Sequence, residues 1–417
     1  MTTLTRVQEQ YEVLPYPHRD PERELERLLQ TTLSELPRIQ ALAWGHPRDL
    51  STLRVLDAGC GTGDNTVFLA HQLRGTGAEI VALDFSKTSL DINRARLAKR
   101  GLENVRHVLA PIEEAPTLDL GEFDFIVCSG VLHHLASPLA GLAALRSMLK
   151  PDGLMGIMVY ARYGREPVYL MQSLLRRLAP PELEPEKRLR ILKRTIEGLP
   201  RQGRTVRGLL ESPLILSEIT RSDAGAYDLL LHTQDRPYTV PELHEWMDDA
   251  GMRLVEWSVP RAYEPTTYLQ GVGLSHLDAR ERAATAELMH GGMMKHEFWC
   301  ERDDAPARPS VASDDPEAVP AWMSLDFPET VRGALGRKDL GPELGCTFGP
   351  ERDVVVPADA LGRHFLRSVD GTATVRKILD GAASIAGTVP APRIRARWVE
   401  FADAFRAVGG LALYPGA

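Results

Sequence analysis

Between residues 53 and 160 short apolar runs alternate with amphipathic stretches in a regular rhythm. Leu53–Asp57, Glu79–Asp84, Val105–Leu109, Phe123–Cys128 and Leu154–Tyr160 are compact and apolar, as strands buried on both faces are. Thr66–Leu73, Ser86–Arg100 and Pro138–Leu149 carry apolar residues at helical spacing, with Ser86 placed as an N-cap and Gly101 as a stop. Strand–helix alternation of this kind predicts a parallel sheet with right-handed crossovers. The rhythm breaks at Glu166. From there to Leu231 the pattern is helical throughout, which reads as an insertion after the fifth strand, placed to cap a site at the sheet edge. It resumes at Thr239-Val240-Pro241-Glu242, a capping box opening a helix with Leu243, Trp246, Met247 and Ala250 inward. Met252–Val259 and Met293–Glu301 read as two last strands, joined through a helix at Leu277–Met289.

The two ends of the chain follow other patterns. Residues 1–50 are polar and Pro-punctuated, with helical runs at Arg6–Glu12 and Glu22–Leu33, and read as a helical segment contributing to the active-site cover. Between those runs, Tyr11, Tyr16 and His18 lie in a Pro-rich turn that either packs or closes over a ligand. Asp303 onward is rich in Asp, Pro, Ala and Ser and has little to bury, so 303–322 is expected to be a linker. In 323–417, Leu361, Phe365, Leu366 and Val369, then Val375–Leu379, then Ile394, Trp398, Phe401, Phe405 and Val408 form apolar helix faces before the strand-like Leu411–Tyr414. The expected architecture is therefore α/β: a doubly wound, Rossmann-like, mixed seven-stranded sheet over 51–302, with a helical insertion or lid at 164–237. A small, mainly helical, winged-helix-like C-terminal domain follows.

Length and composition sharpen this picture. A chain of 417 residues exceeds one ordinary core, so two domains are expected. A net charge of -8 argues against indiscriminate polyanion binding. From Asp303 onward, 13 Lys/Arg stand against 16 Asp/Glu, so that unit is not a basic DNA reader, and packing or docking of a protein or peptide suits it better. Cys60, Cys128, Cys300 and Cys346 are scattered, with no Cys/His cluster: no metal site is expected, and a reducing cytoplasm fits. No apolar stretch approaches a membrane span.

The candidate chemistry begins at Asp57-Ala58-Gly59-Cys60-Gly61-Thr62-Gly63. Glycines permit positive φ and close backbone approach to a ligand, and the helix that follows presents free N–H groups there. Spacing of G-x-G-x-G, a carboxylate at the head of the turn and no Walker lysine disfavour dinucleotides and triphosphates. An acidic head suits a ligand carrying positive charge. Asp84, ending the second strand, is placed to accept from two ribose hydroxyls. The fourth strand runs into Ser129-Gly130-Val131-Leu132-His133-His134-Leu135 at the same edge.

Those motifs, with Ala82-Leu83-Asp84-Phe85-Ser86, Phe123-Asp124-Phe125-Ile126-Val127-Cys128 and Leu149-Lys150-Pro151-Asp152-Gly153-Leu154, resemble the class I S-adenosylmethionine-dependent methyltransferases over Leu53–Glu301, apart from the insertion. The Tyr-Pro-rich start and the Asp235–Leu243 segment resemble a bacterial subgroup without a settled substrate. The resemblance implies S-adenosyl-L-methionine as cofactor. Asp57 would orient the methionine ammonium. Gly59, Cys60, Gly61 and Gly63 would form the cradle, and Asp84 would hold the ribose. Phe85, Ile112 and Ser129 would complete the cofactor contacts. Pro111 stands where the family often has an acid that reads the adenine, so Glu113 substitutes there or Ile112 and backbone groups hold the ring.

Methyl transfer to a hydroxyl or ammonium needs a base. His133 and His134 are candidates, with Tyr160 and Tyr163 similarly placed; packing at a helix start is the plain alternative. In the insertion, ten Lys/Arg against four Glu lie between Arg176 and Arg207, with Lys187, Arg190 and Arg194 on one face. These form a solvated face, a lid for an anionic acceptor, or a contact to RNA backbone. The sequence thus predicts a cytoplasmic methyltransferase acting on a small molecule or peptide. An RNA (tRNA) methyltransferase and a non-catalytic binding module that keeps the fold are the alternatives.

Overall fold

The computed structural model describes residues 8, 11–308, 311–324, 327–335, 341–347 and 353–415. Seven strands form the central sheet: β1 (Arg54–Ala58), β2 (Glu79–Asp84), β3 (Val105–Leu109), β4 (Phe123–Ser129), β5 (Leu149–Tyr160), β6 (Met252–Trp257) and β7 (Lys295–Arg302). Their order is β3-β2-β1-β4-β5-β7-β6, parallel except that β7 runs against both of its neighbours. The chain winds outward from β1 through β2 to β3 and then returns to place β4 on β1's other side. The carboxyl ends of β1 and β4 therefore splay apart at a topological switch point, where an open sheet leaves a crevice.

Helices cover both faces. In chain order they begin with α1 (Leu36–Trp44), α2 (Asp64–Gln72), α3 (Lys87–Arg100) and α4 (Pro138–Ser147). Ser86 caps α3 by accepting from the Ser89 N–H, and Gly101 ends it in the left-handed region. Both outcomes follow from the sequence. The predicted helix at Glu22–Leu33 does not form. Pro21–Glu26 and Thr32–Ser34 are 3-10 turns, and the helix comes later, at α1. Glu24 explains the shift: it is buried against Arg96 and Arg100 of α3, so tertiary ion pairs override the local helical pattern. The predicted Arg6–Glu12 run lies largely outside the described residues.

The insertion folds as α5 (Glu166–Leu178), α6 (Pro185–Gly198), α7 (Arg204–Glu211), α8 (Pro213–Arg221) and α9 (Asp223–Leu231) around its own core of Val168, Met171, Leu175, Leu209 and Leu230. α10 (Val240–Asp249) opens on the Thr239/Glu242 capping box, and a second box at Asp278/Glu281 opens α11 (Ala279–His290).

Past the sheet, β8 (Val319–Trp322), α12 (Phe327–Leu335), the hairpin β9 (Glu343–Thr347) and β10 (Asp353–Pro357), α13 (Ala360–Ser368), α14 (Val375–Ile385), α15 (Ala391–Ala407) and β11 (Leu411–Tyr414) build a second core. β11 closes against β8, and the β9–β10 hairpin precedes the three helices. The expected linker 303–322 is only partly a linker. β8 belongs to the second core, and the Trp398 indole N–H donates to the Ser313 carbonyl at 2.7 Å. The composition misleads there because polar side chains such as Ser313, Asp314 and Glu317 tie the segment to the second core alongside its backbone, so it needs few apolar ones. Among the described residues, no helix is long and apolar enough to cross a membrane.

Candidate active site

The loop after β1 is built by backbone geometry. Gly59, Gly61 and Gly63 have φ of 71°, 50° and 99°, and the N–H groups of Gly59 and Cys60 donate to the Leu83 carbonyl at 2.8 and 3.0 Å. A Cβ on Gly59 would meet Val131 at 2.5 Å, and one on Gly61 would meet the Tyr16 carbonyl at 2.9 Å. Asp84 braces the loop by accepting from the Gly61 and Ser86 N–H groups, each at 2.8 Å. Burial pushes its carboxyl up to about 6. A carboxylate has four lone-pair sites, so Asp84, which faces the crevice, keeps capacity for a ligand's hydroxyls.

Over this loop lies the N-terminal strap. Thr62 donates to the Pro17 carbonyl at 2.7 Å, Arg19 forks onto Asp64 at 2.9 and 2.6 Å, and Glu12 accepts from the Lys87 and Thr88 N–H groups that open α3. Its far side is tied to the insertion: Tyr11 donates to Asp228 at 2.8 Å and Tyr16 to Glu218 at 2.9 Å. Strap and insertion together roof a cavity of about 760 Å³.

The cavity is lined by Gly59, Cys60, Gly61, Asp84, Phe85, Ile112 and Ser129 as well as by His134, Tyr160, Arg165, Asp228 and Gln234, with Tyr11, Tyr16 and His18 contributed by the strap. The predicted residues thus separate. Asp57 and Gly63 do not line the cavity; Asp57 is buried behind the loop, where Thr66 donates to it at 2.5 Å and Asn93 donates to Thr66 at 3.0 Å. Burial there pushes the Asp57 carboxyl up to about 7. His133 is likewise absent from the cavity wall. Its ring is fully buried, neither nitrogen has a partner among the described residues, and burial drives its basicity well down.

His134 does face the cavity, and its surroundings fix its tautomer. Its Nδ1 lies 2.8 Å from the Gln234 carbonyl, which can only accept, so Nδ1 carries the proton and Nε2 keeps a lone pair in the neutral ring. The His232 ring stacks on it at 3.8 Å, and His232 Nδ1 accepts from the Gln234 N–H at 3.1 Å. Two sets of ligand-capable groups converge here, His134/Asp228/His232 and His133/His134/Asp235. In the first set, His232 has already spent its Nδ1 lone pair, so its neutral ring carries the proton on Nε2 and offers no ligand atom. Sequence reasoning missed Asp228, His232, Gln234 and Arg165. They come from the insertion and its flanks, far along the chain from His134, and no local pattern marks them.

Residues 56–155 match a family described as a methyltransferase domain. That match, together with the fold, supports a class I S-adenosylmethionine-dependent methyltransferase family. Beyond the family match, the chain is 34% identical over 235 residues to an uncharacterized protein of Synechococcus sp. (strain ATCC 27144 / PCC 6301 / SAUG 1402/1), covering 55% of the chain and 54% of the relative. It is 32% identical over 134 residues to the ubiquinone biosynthesis O-methyltransferase of Bordetella avium (strain 197N), covering 32% of the chain and 52% of the relative. The chain spans about half the length of these curated relatives. Among solved structures, PKMT2 from Rickettsia typhi in complex with AdoHcy superposes with a TM-score of 0.63 at 15% identity, over 92% of this chain and 76% of that one. At that identity the likeness speaks for the fold.

Proposed function

We propose that this protein transfers a methyl group from S-adenosylmethionine to an oxygen of a small molecule enclosed in the roofed cavity. The observation that carries this reading is the continuity of one cavity whose lining includes the Gly59–Gly61 cradle, Asp84 and His134, with Nδ1 of His134 held by the Gln234 carbonyl. At about 760 Å³ it lies in the upper part of the roughly 300–1,000 Å³ range of ligand sites, with room for a cofactor and a small partner. A glycine turn packed too closely for any Cβ, a buried carboxylate with spare lone pairs and the apolar Ile112 fit an adenosyl ligand.

Bound S-adenosylmethionine supplies an electrophilic methyl group on a sulfonium. Asp84 would hold the ribose hydroxyls, Phe85 and Ile112 would flank the adenine, and Ser129 with the cradle would meet the methionine end. Asp57, held behind the loop, would act through Thr66 and α2 by fixing the loop's shape. His134 would take the acceptor's proton on Nε2 as the new bond forms, while the Gln234 carbonyl keeps its ring oriented. Strap and insertion would exclude water, and in-line placement supplies most of the acceleration. The curated relatives named O-methyltransferases support an oxygen acceptor. Of the ten basic residues of the insertion, Arg188 is buried against Tyr227, and Lys193 and Arg204 pair with Asp223 and Glu166, which reduces the free basic surface open to an RNA backbone.

Calorimetric titration with S-adenosylmethionine tests the reading. Wild type is expected to bind, Asp84→Ala to lose at least about tenfold in affinity through the lost hydroxyl contacts, and His134→Gln to bind as wild type does. No binding by the wild type would overturn the proposal.

A further inference from the structure

Four arginines are buried among the described residues: Arg38, Arg96, Arg165 and Arg188. Three of them spend their terminal nitrogens on at least two acceptors. Arg38 bonds the Ser258 and Trp257 carbonyls and Glu256; Arg96 bonds the Thr62 carbonyl and Asp64; Arg188 bonds Tyr227 and the Leu231 carbonyl. Arg165 differs. It is 4% exposed, its Nε donates to Tyr169 at 3.2 Å, and neither terminal nitrogen makes a hydrogen bond. Its nearest carboxylate, Asp235, stands 3.6 Å away, beyond hydrogen-bond reach. A buried guanidinium left in this state is costly unless a ligand completes it.

The position of Arg165 says which ligand. It stands at the start of α5, lines the cavity, and lies over Tyr160 with its guanidinium carbon 3.4 Å from the ring centre. The His134 ring centre is 5.7 Å from that same Tyr160 ring. Base and guanidinium thus both neighbour one aromatic side chain and line the same cavity, where a single small hydroxy acid could meet both.

We propose that Arg165 anchors a carboxylate of the methyl acceptor, so that the acceptor class is a small carboxylic acid whose hydroxyl is presented to His134. This rests on the methyl-transfer reading of the same cavity. The planar fork of a guanidinium matches a carboxylate's two oxygens. Asp228, Asp235 and Glu218 already surround the site, so a singly charged carboxylate meets less repulsion than a phosphate. A cationic cofactor and an anionic acceptor also neutralise each other in an enclosed space.

The test uses the full-length protein saturated with S-adenosylhomocysteine, titrated with benzoate, benzamide and phenyl phosphate. Benzoate is expected to bind at least about tenfold more tightly than the neutral benzamide, with phenyl phosphate weaker than benzoate. Arg165→Met should remove the benzoate preference and Arg165→Lys should keep part of it. Equal binding of benzoate and benzamide to wild type, or a preference that survives in Arg165→Met, would overturn the proposal. Tighter binding of phenyl phosphate would replace carboxylate by phosphate. Unchanged S-adenosylhomocysteine affinity in Arg165→Met certifies an intact fold. If wild type takes up no S-adenosylhomocysteine, the cofactor reading fails. Benzoate against benzamide on the unloaded protein then still decides the role of Arg165.

Discussion

Asp57 heads the glycine turn, yet its side chain is spent inside the protein on Thr66, with Asn93 behind it. That placement makes a prediction about pH. Burial holds the carboxyl up to about 7, against roughly 3.9 in an unfolded chain. Between these values the folded state keeps a proton that the unfolded state has released. The group's contribution to stability is therefore complete below about pH 4 and is lost as pH rises through about 7. Asp57→Asn, which keeps an acceptor for Thr66 but cannot titrate, should flatten this dependence. Melting temperatures of both proteins at pH 5 and pH 8 check it: the wild type should fall more between the two, by a difference on the order of a few kcal/mol in stability. Equal slopes would place the titration elsewhere. At this scale the sequence was a partial guide. It marked the adjacent His133 and His134 alike, and only the position of the Gln234 carbonyl and the cavity wall separates the cavity-facing ring from the packed one.

The elements around the site were legible because each carries its own signal. Strands announce themselves by apolar runs, α3 by Ser86 and Gly101, and α10 by its capping box. The glycine turn is the element with the narrowest tolerance. Gly61 has φ 50°, donates its N–H to Asp84, and leaves a Cβ 2.9 Å from the Tyr16 carbonyl of the strap. Gly61→Ala adds about 1–2 kcal/mol of backbone strain and pushes on the strap. It should cost at least tenfold in S-adenosylmethionine affinity, measured by calorimetry, and lower the melting temperature by a few degrees. Elements without a strong local signal were missed. Pro21–Glu26 is a tight turn instead of a helix because Glu24 is drawn into the buried pairs with Arg96 and Arg100.

At the scale of the whole molecule, Arg38 on α1 joins three parts. It bonds the Ser258 and Trp257 carbonyls and Glu256 beside the central sheet, stacks on Trp299 at 4.2 Å, and lies where a Cβ on Gly409 of the C-terminal unit would stand. Tyr414 of β11 adds a bond to the Pro37 carbonyl at 3.4 Å. Removing a buried, multiply bonded charge leaves its acceptors orphaned, typically at about 3–5 kcal/mol. Arg38→Met should therefore destabilise the protein on that order and split one thermal transition into two, read by scanning calorimetry. A single unshifted transition would show that the C-terminal unit is joined by other contacts.

By itself the sequence determined the seven-stranded sheet, the glycine turn after β1 with Asp84 ending β2, and the helical character of the insertion. Each of these rests on interactions between residues close along the chain: apolar periodicity, glycine conformations and caps. Only the tertiary structure decided that Asp57 stands behind the cradle and that His134 rather than His133 meets the cavity. It alone showed that Arg165, Asp228 and His232 share the site with a strap from the first twenty residues. Several of those choices depend on contacts between residues a hundred or more positions apart, such as His134 with Gln234 and Tyr11 with Asp228, and no local pattern encodes a contact that only folding creates.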